Sequence, residues 1–175
     1  MLDTIITNKT RIKLLLKFFV NKENRSYLRK LATEFGDSTN AIRIELNRLE
    51  AAGLLTSEPQ GNKKIFRANS NHPLYGEMFS IVRKFVGIDK IIDEVARKIG
   101  DLESAYLTGD LARGIDSSVI ELTLVGNQLD QAYIDQLVQK AELLVNREIK
   151  TTSLSTQEKE EYLKNNSALI IWKAK

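Results

Sequence analysis

The chain has no cysteine, and this absence removes both a disulfide framework and thiolate metal sites from consideration. With His72 as the single histidine, a zinc site of ordinary composition is excluded as well. No run of about 18 apolar residues occurs, so a membrane-spanning helix is not expected. The opening stretch "MLDTIITNKTRIKLLLKFFV" is broken by Lys9, Arg11, Lys13 and Lys17, which does not suit the apolar core of a signal segment. A soluble protein is therefore expected, and the lack of cysteine fits a cytoplasmic one.

What is present is 175 residues with 42% hydrophobic content, enough for one sizeable core or for two small domains. The net charge of +3 conceals an asymmetry. Residues 1–70 hold 13 Lys and Arg against 7 Asp and Glu, whereas residues 88–175 hold 11 against 15. A basic half joined to an acidic half predicts two domains, with any polyanionic partner bound by the first. The expected boundaries are 1–70, a connecting helix over 71–87, and 88–175.

In the basic half, Ile12, Leu15, Leu16 and Phe19 recur at helical spacing and predict an amphipathic helix over 8–20 with its lysines and arginine outside. Leu28, Leu31, Ala32 and Phe35 repeat the pattern up to Gly36. Asp37 or Ser38 can then cap a third helix whose inner stripe is Ile42, Leu46 and Leu49. After Gly53, "LLTSE" and "KKIFRA" read as strands separated by a "PQGN" turn. Helix, helix, tight turn, helix and hairpin is the order of a winged helix-turn-helix.

With Ile42, Leu46 and Leu49 turned inward, the third helix places Thr39, Asn40, Arg43 and Asn47 on its outer face. Arg43 suits the paired acceptors of guanine and Asn40 or Asn47 those of adenine, while Ser38 and Thr39 stand where a helix N-terminus meets phosphate. Lys63, Lys64 and Arg67 on the hairpin, with Arg25 and Arg29 near the second helix, would neutralise phosphates without reading sequence. The alternative is a merely solvated polar face. The stretch "YLRKLATEFGDSTNAIRIELNRLEAAGLLTSEPQGNKKIFRAN", above all "LNRLEAAGLL" followed by a basic hairpin, resembles the ArsR-type winged-helix regulators over roughly the first 70 residues. That resemblance implies a transcriptional regulator whose partner is double-stranded DNA.

Beyond the hairpin, Tyr75, Met78, Phe79, Val82, Phe85 and Val86 form a wide apolar stripe on one helix. It is either the seam of a homodimer, as regulators of this type commonly use, or packing against the adjoining domains. His72, beside Pro73, reads as a capping or surface residue.

From Ile88 onward helices and strands alternate. Ile88, Ile91, Ile92, Val95 and Ile99 predict a helix; "SAYLTG", "VIELTLVG" and "REIKTTSL" predict strands; "DQAYIDQLVQKAELLV" and "TQEKEEYLKN" predict helices; and "ALIIW" predicts a buried strand. The expected class is α+β, a winged helix-turn-helix followed by a small mixed-sheet α/β domain.

In this second half, "YLTGDLARGIDSSVIELTLVG" and "QLVQKAELLVNREIKTTSL" resemble the minimal nucleotidyltransferase domains of the polymerase β superfamily, over about the last 90 residues. The family's strand ends in Gly-Ser, an "ARG"-like segment follows, and the next strand carries two aspartates one residue apart, with a third carboxylate on a later strand. Carboxylates at i and i+2 share one side of a strand and so can share divalent metals. Here Gly109 keeps the glycine, Asp110 replaces the serine, and Ala112, Arg113 and Gly114 keep "ARG". The first aspartate position falls on Val119, the second on Glu121 and the third on Lys150. A lone Glu121 cannot hold two hard cations, and neither Asp110 nor Asp116 is well placed to substitute. The expectation is a protein that is not an enzyme, without a metal or cofactor. Gly109, Asp110, Arg113 and Glu121 would remain as a vestigial pocket for a small-molecule or nucleotide effector, or as a scaffold for dimerisation. The competing expectation is a metal-dependent nucleotidyltransferase acting on a partner.

Overall fold

In the computed structural model, which describes residues 6–174, the apolar runs of the basic half become three helices and a hairpin. The outermost ends of the two expected domains, residues 1–5 and 175, lie outside the described residues. Helix α1 (Lys9–Phe19) is capped by Asn8, whose side chain accepts the Arg11 backbone N–H at 3.0 Å. Helix α2 (Leu28–Phe35) stops at Gly36, and α3 (Thr39–Ala51) starts at Ser38, whose hydroxyl accepts the Ala41 N–H at 3.2 Å. Ser38 rather than Asp37 is therefore the cap. The carboxylate of Asp37 instead accepts hydrogen bonds from Thr10 and Lys13.

Helix α1 departs from the amphipathic expectation. Leu14, Leu15, Leu16, Phe18 and Phe19 are all buried, and so is Lys17, which was expected outside. From Leu14 onward α1 is buried on every side, as a central helix is, and it lies against α3 and the hairpin. The ammonium of Lys17 is held by Glu34 at 2.6 Å, which offsets the cost of burying its charge. Leu31, Ile42, Leu46 and Leu49 complete this core, each fully buried leucine contributing about 1.5–3 kcal/mol.

Strands β1 (Leu55–Gln60) and β2 (Lys63–Ala68) pair antiparallel, from Leu55 opposite Ala68 to Gln60 opposite Lys63. Pro59 and Gln60 thus belong to the first strand rather than to the turn. The turn itself is Gly61 and Asn62, with Gly61 at φ +59, as two-residue hairpin loops require of their first residue. Helix α4 (Tyr75–Val86) follows, with Val82 and Val86 buried and Ile81 exposed.

The second half contains a four-stranded sheet. Ile88–Ile91 form α5, which passes into a π-helical stretch, Ile92–Ala96, where one regular helix was expected; Ile99, buried, lies in the turn beyond. Next come β3 (Leu102–Thr108), the short α6 (Gly109–Ala112), β4 (Val119–Gly126), α7 (Gln131–Val145), β5 (Glu148–Leu154), α8 (Lys159–Asn165) and β6 (Leu169–Lys173). The strand order is β5-β4-β3-β6; β4 and β5 run parallel across the α7 connection and the other neighbours are antiparallel. Because β6 lies at the sheet edge, it is not the buried strand expected from "ALIIW": Ile171 is buried, whereas Ile170 is exposed. Ile120, Leu122 and Leu124 of β4 form the sheet's inner row, and Ile134, Leu137, Val138 and Ala141 of α7 are buried as well.

The chain is therefore α+β, a winged helix-turn-helix followed by a small mixed-sheet unit. It divides into two compact units, the first running to Phe85 and taking in residues 114–116, the second made of Val86–Arg113 and the residues from Ser117. Among the described residues no helix is long and apolar enough to cross a membrane.

Candidate nucleic-acid interface and ligand pocket

Burying Ile42, Leu46 and Leu49 fixes the rotation of α3 about its axis. Thr39, Asn40, Arg43 and Asn47 are then exposed, and their side chains make no hydrogen bond or ion pair with another described residue. Their donors and acceptors are left for an outside partner.

Beneath this face lies a carboxylate that sequence periodicity did not single out. Glu45 is buried on α3 and accepts hydrogen bonds from Arg11 Nε at 2.7 Å, Arg48 Nη1 at 2.6 Å and Asn8 Nδ2 at 3.3 Å. The hydrogen bond from Arg11 holds the Glu45 carboxyl below its ordinary range, against the opposing effect of burial. Helix α3 is thereby tied to α1. The signal was present as a charge inside an apolar stripe, which calls for a buried partner.

The basic residues of the wing, β1–β2, differ in availability. Lys64 donates to Glu50 Oε2 at 2.7 Å, which, with the Ser57 hydroxyl bonded to the same carboxylate, lowers the ionisation point of Glu50 and ties the wing to the end of α3. Lys63 stands over the Tyr27 ring at 4.4 Å, a cation–π contact. Arg67 is exposed, with no side-chain partner among the described residues. Arg25 meets Glu58 at 3.3 Å. Arg29 joins Tyr27, Asn62, Lys63 and Lys64 around a cleft of about 290 Å³. His72 accepts the Leu74 N–H on Nδ1 at 3.1 Å, a local turn cap.

In the second unit, Gly109 ends β3 at φ +64 and opens α6. The carboxylate of Glu121 lies against it so closely that a Cβ on Gly109 would stand 2.1 Å from Glu121 Oε1. Asp110 and Arg113 form an ion pair across one turn of α6. Cross-strand register places Glu121 opposite Thr108 on β3 and opposite Lys150 on β5, and Val119 opposite Glu148. Lys150 and Glu148 pair at 3.6 Å. Gly109 and Glu121 are thus brought together, and Lys150 is the strand neighbour of Glu121. Glu148, not considered from the sequence, is a second carboxylate beside this row; only the parallel register of β4 and β5 brings it there.

These donors do not fit a two-metal centre. Such a centre needs several oxygen ligands converging on each hard cation. Here Val119 offers none, Glu148 is turned to Lys150, and the β5 residue opposite Glu121 is a lysine rather than a carboxylate. Among the described residues no three His, Cys, Asp or Glu side chains gather as a cluster.

No family model matches the chain, and no curated protein matches it. Among solved structures, reduced HlyU from Vibrio cholerae is similar to 48% of this chain, over 80% of its own, at 17% identity and a TM-score of 0.38. A crystal structure described as a toxin-antitoxin with AMP-PNP is similar to 50% of this chain, over 74% of its own, at 20% identity and a TM-score of 0.42. Likenesses this distant leave the function to be read from the chain's own residues. The exposed face of α3 is the more telling of the two sites: its polar side chains are unspent, whereas Asp110, Arg113, Glu148 and Lys150 pair with one another.

Proposed function

We propose that this protein is a DNA-binding transcriptional regulator whose second unit is a nucleotidyltransferase-like domain without transferase activity, used for dimerisation or for sensing a small-molecule or nucleotide effector. One observation carries the reading: Thr39, Asn40, Arg43 and Asn47 form an outward row on a helix pinned from behind by Glu45, with no internal use for their hydrogen bonds. A helix of this kind fits a major groove, where Arg43 addresses guanine and Asn40 or Asn47 adenine. The helix N-terminus at Ser38, with Lys63 and Arg67 on the wing, addresses phosphates.

The test is duplex binding measured across a salt series. Affinity should fall steeply with salt as phosphate contacts release counterions. Arg43→Ala should relax sequence preference, and Lys63→Ala should weaken all sequences about equally. A protein that ignores duplex DNA at low salt refutes the proposal.

A second reading, a metal-dependent nucleotidyltransferase, is favoured by the Gly109 turn and by Glu121 with Glu148 on neighbouring strands. Magnesium- or manganese-dependent nucleotide binding that is lost in Glu121→Gln would establish it over the first.

A further inference from the structure

We infer that Ile44 is a sequence-reading residue of α3 that recognises thymine through its 5-methyl group. The inference rests on the DNA-binding reading above and adds to it an apolar contact. Ile44 is 43% exposed on a helix whose other large aliphatic residues, Ile42, Leu46 and Leu49, are buried. It stands one turn from Asn40, Asn47 and Arg48 and next to Arg43, at the centre of the outward face. A β-branched side chain there lies outside the buried stripe of α3. It is a slightly poorer helix former than the straight-chain polar residues suited to such a position, and it leaves apolar surface in water.

The occupant is set by the surroundings. Arg43 and Arg48 flank Ile44, and the half of the chain that carries it holds 13 basic against 7 acidic residues, which favours a polyanion over an apolar protein surface. Within the major groove, the one apolar group that distinguishes a base pair is the thymine methyl, and an aliphatic side chain is its complement. Arg48, one turn on, is held by Glu45 at 2.6 Å.

The experiment first selects duplexes from a random library with the full-length protein, then replaces each thymine of the selected site, one at a time, by deoxyuridine. That change removes the methyl group and keeps the base pair. Wild type should lose about fourfold in affinity at one thymine per half-site, the value of one buried methyl-sized group. Ile44→Ala should bind the thymine duplex more weakly by at least that factor and show no further loss on deoxyuridine, while Ile44→Val should keep the sensitivity. Since Ile44 is exposed, its substitution does not disturb the core, and unchanged circular dichroism verifies this. Selection of a defined site whose thymines can all be replaced without loss overturns the inference and leaves DNA binding intact. So does an undiminished deoxyuridine effect in Ile44→Ala. Failure to select any duplex overturns both.

Discussion

Glu45 ties α3 to α1 through Arg11, so its removal has a calculable consequence. Its side chain is 3% exposed, against 36% for Arg11 and 62% for Arg48. A hydrogen bond to a charged group contributes about 1.5–3 kcal/mol, and the 2.7 Å contact with Arg11 belongs in that range. The pair with Arg48 is largely solvated and adds only about 0.3–0.5 kcal/mol. Glu45→Gln, which keeps the shape and loses the charge, should therefore cost about 2 kcal/mol, or about 8–16 °C for a unit of this size. Hydrogen exchange read on peptides from α1 and α3 confines the measurement to the affected helices. The pH dependence supplies an independent check. Because Glu45 ionises more readily folded than unfolded, its contribution is complete above the ordinary carboxylate range and is lost as the pH falls through its lowered folded value. The gap between wild type and Glu45→Gln should accordingly be full at pH 7 and narrow as the pH falls below the ordinary carboxylate range. Equal protection in the two proteins at pH 7, or a gap indifferent to pH, refutes this account of how α3 is held.

Three further outcomes follow from the same geometry. Glu50→Gln should release Lys64 from the end of α3 and steepen the salt dependence of duplex binding, by up to about one phosphate contact; an unchanged slope shows that Lys64 does not reach the backbone. Gly109→Ala should cost about 1–2 kcal/mol from its left-handed backbone, and Glu121→Ala should not recover it, since the carboxylate is free to swing aside; full rescue in thermal melts would show the clash to dominate instead. Gly126→Ala, whose Cβ would stand 2.3 Å from the Asp101 carbonyl oxygen, meets backbone that cannot swing aside and should loosen the β3–β4 pairing, visible as faster exchange at Leu102–Thr108.

The elements whose faces have one partner were legible in the sequence. Helix α3 followed from Ile42, Leu46 and Leu49, with its cap narrowed to Asp37 or Ser38, and β4 spans the same eight residues that "VIELTLVG" indicated. Features with more than one partner were not. "LLLKFFV" is buried all round the helix, so the spacing of one apolar stripe does not report the burial of Lys17. "ALIIW" looked like a central strand because hydrophobicity along a strand does not report its place in the sheet order. In the candidate sites, outward residues of α3 could be read from spacing alone, but the engagement of Lys64 by Glu50 and the approach of Glu148 to Val119 depend on hairpin and strand register, which join residues distant in sequence. Ile44 escaped notice for a different reason. Periodicity identifies apolar residues that fit a stripe and is silent about one that stands outside it.

The edge position of β6 has a practical consequence. Trp172, the chain's single tryptophan, lies on that strand, opposite Ala105 of β3 and partly exposed. Its emission is therefore a built-in optical label for the second unit alone. Any change in its colour or intensity when duplex DNA is added to the first unit would be a direct spectroscopic sign of communication along the chain, obtained without attaching a dye.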